Sequence, residues 1–365
     1  MGERSEKHAR LSAYLAGRGL DGVVLTRRCN FSWYTCGAHN HVAEACDVGV
    51  SSLVVTPDAS AVVSNNIEAT RLEAEDLPER IGLIVYPYHD GRARLDAFGQ
   101  AMGKGQFAAD APLDGLEMPL TDLEFDRLRW QLTGEEVERY RGVCRDVAAS
   151  VESVARAARP GVTESDLAGR LAAELRSKSC SPWVLLVGSD DRAVRHRHPL
   201  PTDKRVEKCA MLVTTAERGG LIAAVTRLVA FGKLPPDLLR RHRAVAKVDA
   251  ALIASTRPGT TLGEIFAAGQ RAYAEVGFAE EWRHHHQGGS IGYLPREVKA
   301  CPGCDVSVLG EQAFAWNPSI AGTKCEDTIL CRRGGCDILT QSAEWPCLQA
   351  EWEGQSFRRP DILVI

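Results

Sequence analysis

No run in this sequence approaches 18 consecutive apolar residues, so no segment reads as a membrane-spanning helix. A signal-peptide pattern is missing too: the opening MGERSEKHARLSAYLAGRGL is charged and amphipathic, without an apolar centre or a small-residue cleavage site. Nor is there an excess of positive charge. Lys and Arg number 44 against 48 Asp and Glu, a net of -4 with the arginines dispersed, which argues against nucleic acid as the main partner. These absences lead us to expect a cytoplasmic protein with no membrane association. Without a secretion signal, the 12 cysteines do not read as a disulfide framework.

What is abundant is cysteine itself. Cys301 and Cys304 in CPGC, followed by Cys325, Cys331 and Cys336, have the makings of a zinc site, because tetrahedral zinc favours thiolates at short spacings. The second pair is loosely spaced, and the plainer reading is reduced, buried, small apolar side chains.

A chain of 365 residues with 44% hydrophobic and 25% charged content suggests two globular domains. From residue 1 to 128, short β-branched runs (DGVVLT, SSLVVT, SAVVSN, IGLIVYPY) alternate with stretches suited to helices, an α/β pattern. Thr133 and Glu136 then form a Thr-x-x-Glu capping box that opens a long amphipathic helix to about Arg159. The region 129 to 365 carries an internal repeat. RPGVTESDLAGRLAAELRSKS begins at Arg159 and RPGTTLGEIFAAGQRAYAEVG at Arg257, an offset of 98 residues (257 − 159). Each copy is preceded by a long helical stretch and followed by strand-rich sequence, which predicts a pseudo-two-fold domain.

Five segments in this order carry a family resemblance: NFSWYTCG (Asn30 to Gly37), RHRHPLPTDKRVEKCAMLV, AAVTRLVAFG, AFAWNPSI and GTKCEDTIL. Together they resemble the pita-bread family of creatinase, aminopeptidase P, prolidase and methionine aminopeptidase. The resemblance implies a creatinase-type α/β domain followed by an α+β pita-bread domain of pseudo-two-fold form.

Peptidases of that family hold two metal ions with two aspartates, one histidine and two glutamates. Hard divalent ions need that carboxylate density to offset lost hydration. Carried onto this chain, the five positions are Thr215 (or Thr214), Ala224, Gly289, Asn317 and Glu326. One carboxylate does not hold a dinuclear pair, so we expect no such metal centre and no cofactor.

Creatinase is the family's metal-free precedent, moving its proton with a histidine and holding a cationic substrate with glutamates. By resemblance, His198 takes the histidine position and Glu326 one of the glutamate positions, whereas Thr226 stands in place of the other. His285, in HHHQGGSIGYLPRE, falls where aminopeptidase P has a pocket histidine, and strand alternation sets His284 and His286 aside. His198 and His285 together are the candidate base and acid, with Glu326 holding a substrate cation. Candidate substrate contacts are Tyr293, Arg296, Arg227, Asn317, Thr226 and His39. Arg296 suits either a substrate carboxylate or a structural pairing with Glu326 or Glu297.

These readings converge on a metal-independent hydrolase of an amide or amidine C–N bond in a small amino-acid-like substrate. Two others stand beside it: a lyase, isomerase or cyclase in specialised biosynthesis, and a non-catalytic pita-bread binding protein. The resemblance also implies a homodimer, because creatinase-like relatives complete the pocket with a neighbouring N-terminal domain.

Overall fold

Strand Gly22–Arg27, with Val23, Val24 and Leu25 fully buried, lies next to the edge of a five-stranded mixed sheet. The computed structural model describes residues 2–365. Their contacts divide them into an N-terminal unit, up to Arg129 plus Thr133–Glu136 and Gly219–Leu221, and a second unit holding the rest. In the N-terminal unit the sheet order is Gly82–Tyr86, Ser60–Asn65, Val48–Val55, Gly22–Arg27, Phe107–Ala109. The two outermost pairings are parallel and the two inner ones antiparallel. Helix Gly91–Met102 closes a core of Val24, Val54, Val63, Phe98 and Phe107.

The segment Asn30 to Gly37 begins inside helix Arg28–Tyr34. Asn30 is fully buried, donating to Asp110 at 2.9 Å and accepting from Arg129 at 3.0 Å. Asp110 also takes the backbone N–H groups of Thr26 and Arg27 at 2.7 and 3.0 Å. This asparagine therefore ties strand, helix and domain end together.

In the second unit, the repeat found in the sequence is a repeat of structure. Helices Glu164–Ser177 and Leu262–Glu275 start 98 residues apart. Each has a complete capping box, Thr163 with Asp166 and Thr261 with Glu264. Backbone hydrogen-bond donors recur at the same offset, with matching acceptors in the following segment. Gly161 and Glu164 donate to Val206 and Lys204, while Gly259 and Leu262 donate to Val308 and Val306. Long helices Gly134–Ala157 and Pro236–Ser255 precede the two copies. One copy leads into strands Ser181–Ser189, Cys209–Arg218 and Leu221–Ala230, and the other into Gly288–Ile291, Gln312–Trp316 and Asp327–Arg332. This is the pita-bread architecture.

The two sheets are joined where Leu221–Ala230 meets Asp327–Arg332. Thr226 N–H donates to the Glu326 carbonyl at 3.1 Å, and Ala224 N–H donates to Thr328 Oγ1 at 2.8 Å. Side chains of an extended chain alternate between faces, so consecutive residues divide here. Thr226 and Glu326 turn to one face and Arg227 and Asp327 to the other.

On the Asp327 face lies a buried ionic chain. Arg227 binds Glu152 at 3.1 Å and Asp327 at 3.0 Å, and Arg359 binds Asp327 at 2.7 Å and Asp249 at 2.6 Å. Thr340 Oγ1 donates to Asp327 at 2.6 Å and its carbonyl accepts from Arg227 at 2.8 Å. The sequence left Arg227 as a candidate substrate contact. Its guanidinium is spent on this chain instead, with 1% of its side chain exposed.

The cysteines of the zinc reading are dispersed. Cys325 donates to Asp249 at 3.2 Å, Cys331 and Cys336 both lean on the Thr256 carbonyl, and Cys301 is exposed. Among the described residues, no three of them gather around a point.

Asp327 bridges two buried arginines, so removing it leaves Arg227 with Glu152 alone and Arg359 with Asp249 alone. Asp327→Ala should cost about 3–5 kcal/mol, the usual loss when one partner of a buried ion pair is deleted. Urea unfolding followed by circular dichroism measures this, and a cost below about 1 kcal/mol would show that the chain relaxes around the loss.

Candidate functional site

The histidines are set by two short connections. His198 lies in the loop after the short helix Asp190–Arg195. Its neighbour Arg197 pins that loop by pairing with Glu281 and donating to Ser319 Oγ at 3.3 Å. Glu281 opens the 3-10 turn Glu281–His284, which delivers His285 in extended backbone just before strand Gly288–Ile291. Gln287 steadies this turn, donating to the His285 carbonyl at 2.6 Å and accepting from Tyr273 at 3.0 Å.

The result brings together two rings 87 residues apart. His285 Nε2 meets His198 Nε2 at 3.0 Å, and His285 Nδ1 meets the Asn317 carbonyl at 3.2 Å. A carbonyl only accepts, so His285 carries its proton on Nδ1 and presents a bare Nε2. His198 must then donate from its own Nε2, which leaves its Nδ1 with a free lone pair. His198 is the exposed member of the pair and His285 the buried one. His286 lies against His285 with ring centroids 4.7 Å apart and planes tilted by 38°, and its buried Nδ1 has no hydrogen-bond partner. His284 and His196 are exposed.

Beside the rings sits an unbalanced group of charges. Glu326 Oε2 accepts from Lys324 Nζ at 2.7 Å and from Thr226 Oγ1 at 2.7 Å, and Oε1 lies 3.5 Å from Arg296. Burial raises the Glu326 carboxyl, but Lys324 and then Arg296 outweigh it and hold the group below its ordinary value. Burial lowers both cations, with Glu326 opposing the shift in each. All three histidines are pushed towards the neutral form. Burial comes first in each case, followed by Lys324 for His198 and His285 and by Arg296 for His286. The values fall to about 2 for His285 and about 4 for His286. One carboxylate therefore stands against a buried lysine and a partly buried arginine.

This revises the role expected of Glu326. A carboxylate already held by Lys324, Arg296 and Thr226 is not free to bind a substrate cation. Lys324 is the residue that sequence reading passed over. Its signal was present in GTKCEDTIL, because alternation puts positions 324 and 326 on one face of an extended strand. Tyr293 is buried, its backbone N–H bonded to Glu297 Oε1 at 3.1 Å. Asn317 contributes its carbonyl to His285, while its buried side-chain Oδ1 has no partner. His39 belongs to the N-terminal unit, its backbone N–H bonded to Asp76 at 3.2 Å.

The family's two-ion centre can be tested against these residues. Thr215, Ala224 and Gly289 bring no charged ligand. A histidine at position 289 is excluded sterically, since a Cβ there would lie 2.0 Å from the Val298 carbonyl oxygen at φ +150. Asn317 is neutral, and Glu326 is neutralised from within the chain. Two divalent ions would add a charge of +4 where a net positive group already stands, so the residues do not fit that centre.

The sequence matches metallopeptidase family M24 over residues 138–333. The uncharacterized peptidase YqhT of Bacillus subtilis is 22% identical over 348 residues, 89% of this chain and 94% of its own. Among solved structures, the Xaa-Pro dipeptidase from Bacillus anthracis superposes with a TM-score of 0.78 at 18% identity, covering 99% of this chain and 100% of that one. The N-terminal domain of the FACT complex subunit SPT16 from Cicer arietinum superposes with a TM-score of 0.69 at 14% identity, covering 93% and 95%. The family match spans more than half of the chain and includes every residue of the histidine and Glu326 cluster, and so the chain belongs to metallopeptidase family M24.

Proposed function

We propose that this M24 member hydrolyses a C–N bond, amide or amidine, in a small amino-acid-like substrate without the two-ion centre of its peptidase relatives. The observation that carries the reading is the His198–His285 pair with its tautomers set by the Asn317 carbonyl.

The chemistry needs a base that is neutral near pH 7 and reachable by water. His198 Nδ1 meets both conditions, with a lone pair on the exposed member of the pair. It takes a proton from water as the hydroxide adds to the substrate carbon. The imidazolium so formed still donates from Nε2 to the bare Nε2 of His285, which holds the ring in position. Negative charge developing on the substrate oxygen or nitrogen meets the surplus positive charge of Lys324 and Arg296. His198 then returns the proton to the leaving nitrogen, the C–N bond breaks, and the amine departs together with an acid from an amide, or an amide or urea from an amidine or guanidine, leaving the ring neutral again.

A non-catalytic binding protein would fill such a pocket with apolar side chains. Here three imidazoles and three charged groups converge, which favours an enzyme. In H2(18)O, hydrolysis puts the label on the carbon whose C–N bond breaks, in the acid, amide or urea product, whereas a lyase or cyclase forms product without it.

Full-length protein treated with chelator should release amine or ammonia from one of a panel of aminoacyl amides, dipeptides and guanidino acids. His198→Ala should lower kcat/KM by about 10²–10⁴-fold, the range for losing a general base. Activity abolished by chelator and restored by manganese or cobalt would contradict the reading. We further propose a homodimer, in line with creatinase-like relatives. Light scattering at micromolar concentration should give twice the chain mass, and a monomer would count against it.

A further inference from the structure

The three imidazoles have a second capability that proton transfer does not use. One ring nitrogen from each of His198, His285 and His286 lies within 4.8 Å of the others. His285 and His198 face each other through Nε2 atoms 3.0 Å apart. Two nitrogen ligands on a tetrahedral zinc ion, each at about 2.0–2.1 Å, are separated by roughly 3.3 Å, so this gap is close to a ligand-to-ligand spacing. The His285 ring is already oriented by its Nδ1–H bond to the Asn317 carbonyl, the kind of outer contact that metal-binding histidines use. His286 Nδ1 is buried with no partner, a polar atom that the protein itself leaves unsatisfied. Neutral rings are the protonation state that a metal requires.

We propose that His198, His285 and His286 bind a single nitrogen-preferring divalent ion, zinc or copper, and that occupancy switches the hydrolase off. The first half stands on the geometry alone, whereas the second rests on the proposed hydrolytic role of His198. This site is distinct from the family's carboxylate centre. It has no charged ligand, and the surplus charge of Lys324 and Arg296 weakens binding of every cation. Ions with strong bonds to imidazole overcome that penalty, and hard ions such as magnesium, calcium or manganese do not.

The switch follows from the tautomers. In the free enzyme the His198 proton sits on Nε2 and the lone pair on Nδ1. When Nε2 binds an ion, the proton moves to Nδ1, with no net change in protons. The lone pair that deprotonates water is then gone.

The test is titration of chelator-treated, full-length protein with zinc chloride by calorimetry, with cobalt absorption reporting the ligand type. One ion per chain is expected, with a tetrahedral cobalt spectrum lacking thiolate bands. His286→Ala and His198→Ala should each weaken binding at least 100-fold, while Cys301→Ser and Glu326→Gln leave the ion bound. His198 is exposed, so its replacement keeps the fold intact if His286→Ala does not. No binding, binding that survives both histidine variants, or loss in Cys301→Ser would overturn the proposal. Once a substrate is in hand, zinc should inhibit in proportion to occupancy. Binding without inhibition would overturn the switch, and because binding is read without turnover, a failed hydrolysis assay leaves the ion site standing.

Discussion

The ion pair between Lys324 and Glu326 is the contact around which this site is organised. In a buried setting a carboxylate without a counter-charge is costly, and two metal ions would ordinarily supply one. Here a lysine two residues away, at the end of the short strand Thr323–Lys324, supplies it at 2.7 Å, and Arg296 adds a second positive group. With both in place the local charge has the opposite sign from a metal-binding pocket. Burial is the first cause of the neutral histidines and the same field adds to it, since each positive charge beside an imidazole disfavours its protonated form.

One geometric rule, strand alternation, separates this group from the scaffold behind it. Thr226 and Glu326 face the histidines, whereas Arg227 and Asp327 run into the buried chain of Glu152, Arg359 and Asp249. The neighbouring pairs have different work. The inner chain fixes the join between the two sheets, and that join fixes where Glu326 and Lys324 stand relative to the histidine loops.

Much of the architecture was legible because its signals are local. A capping box needs four residues, and two copies 98 residues apart expose the duplication before any contact is known. The approach of His198 to His285 is not local, and only the family resemblance hinted at it. Tautomers were out of reach, because they depend on which carbonyl faces Nδ1. Lys324 was missed for a related reason. A lysine in a strand usually reaches solvent, and its weight here comes from burial against Glu326. Arg227 shows the reverse case. Its motif suggested a ligand contact, but its parity relative to Thr226 assigns it to the opposite face.

If two internal cations have taken the place of two metal ions, crystals grown with millimolar manganese should show this directly. Anomalous difference maps at the manganese edge should contain no peak beside the Glu326 carboxylate. A pair of peaks there, about 3.5–4 Å apart as in two-metal sites, would contradict it.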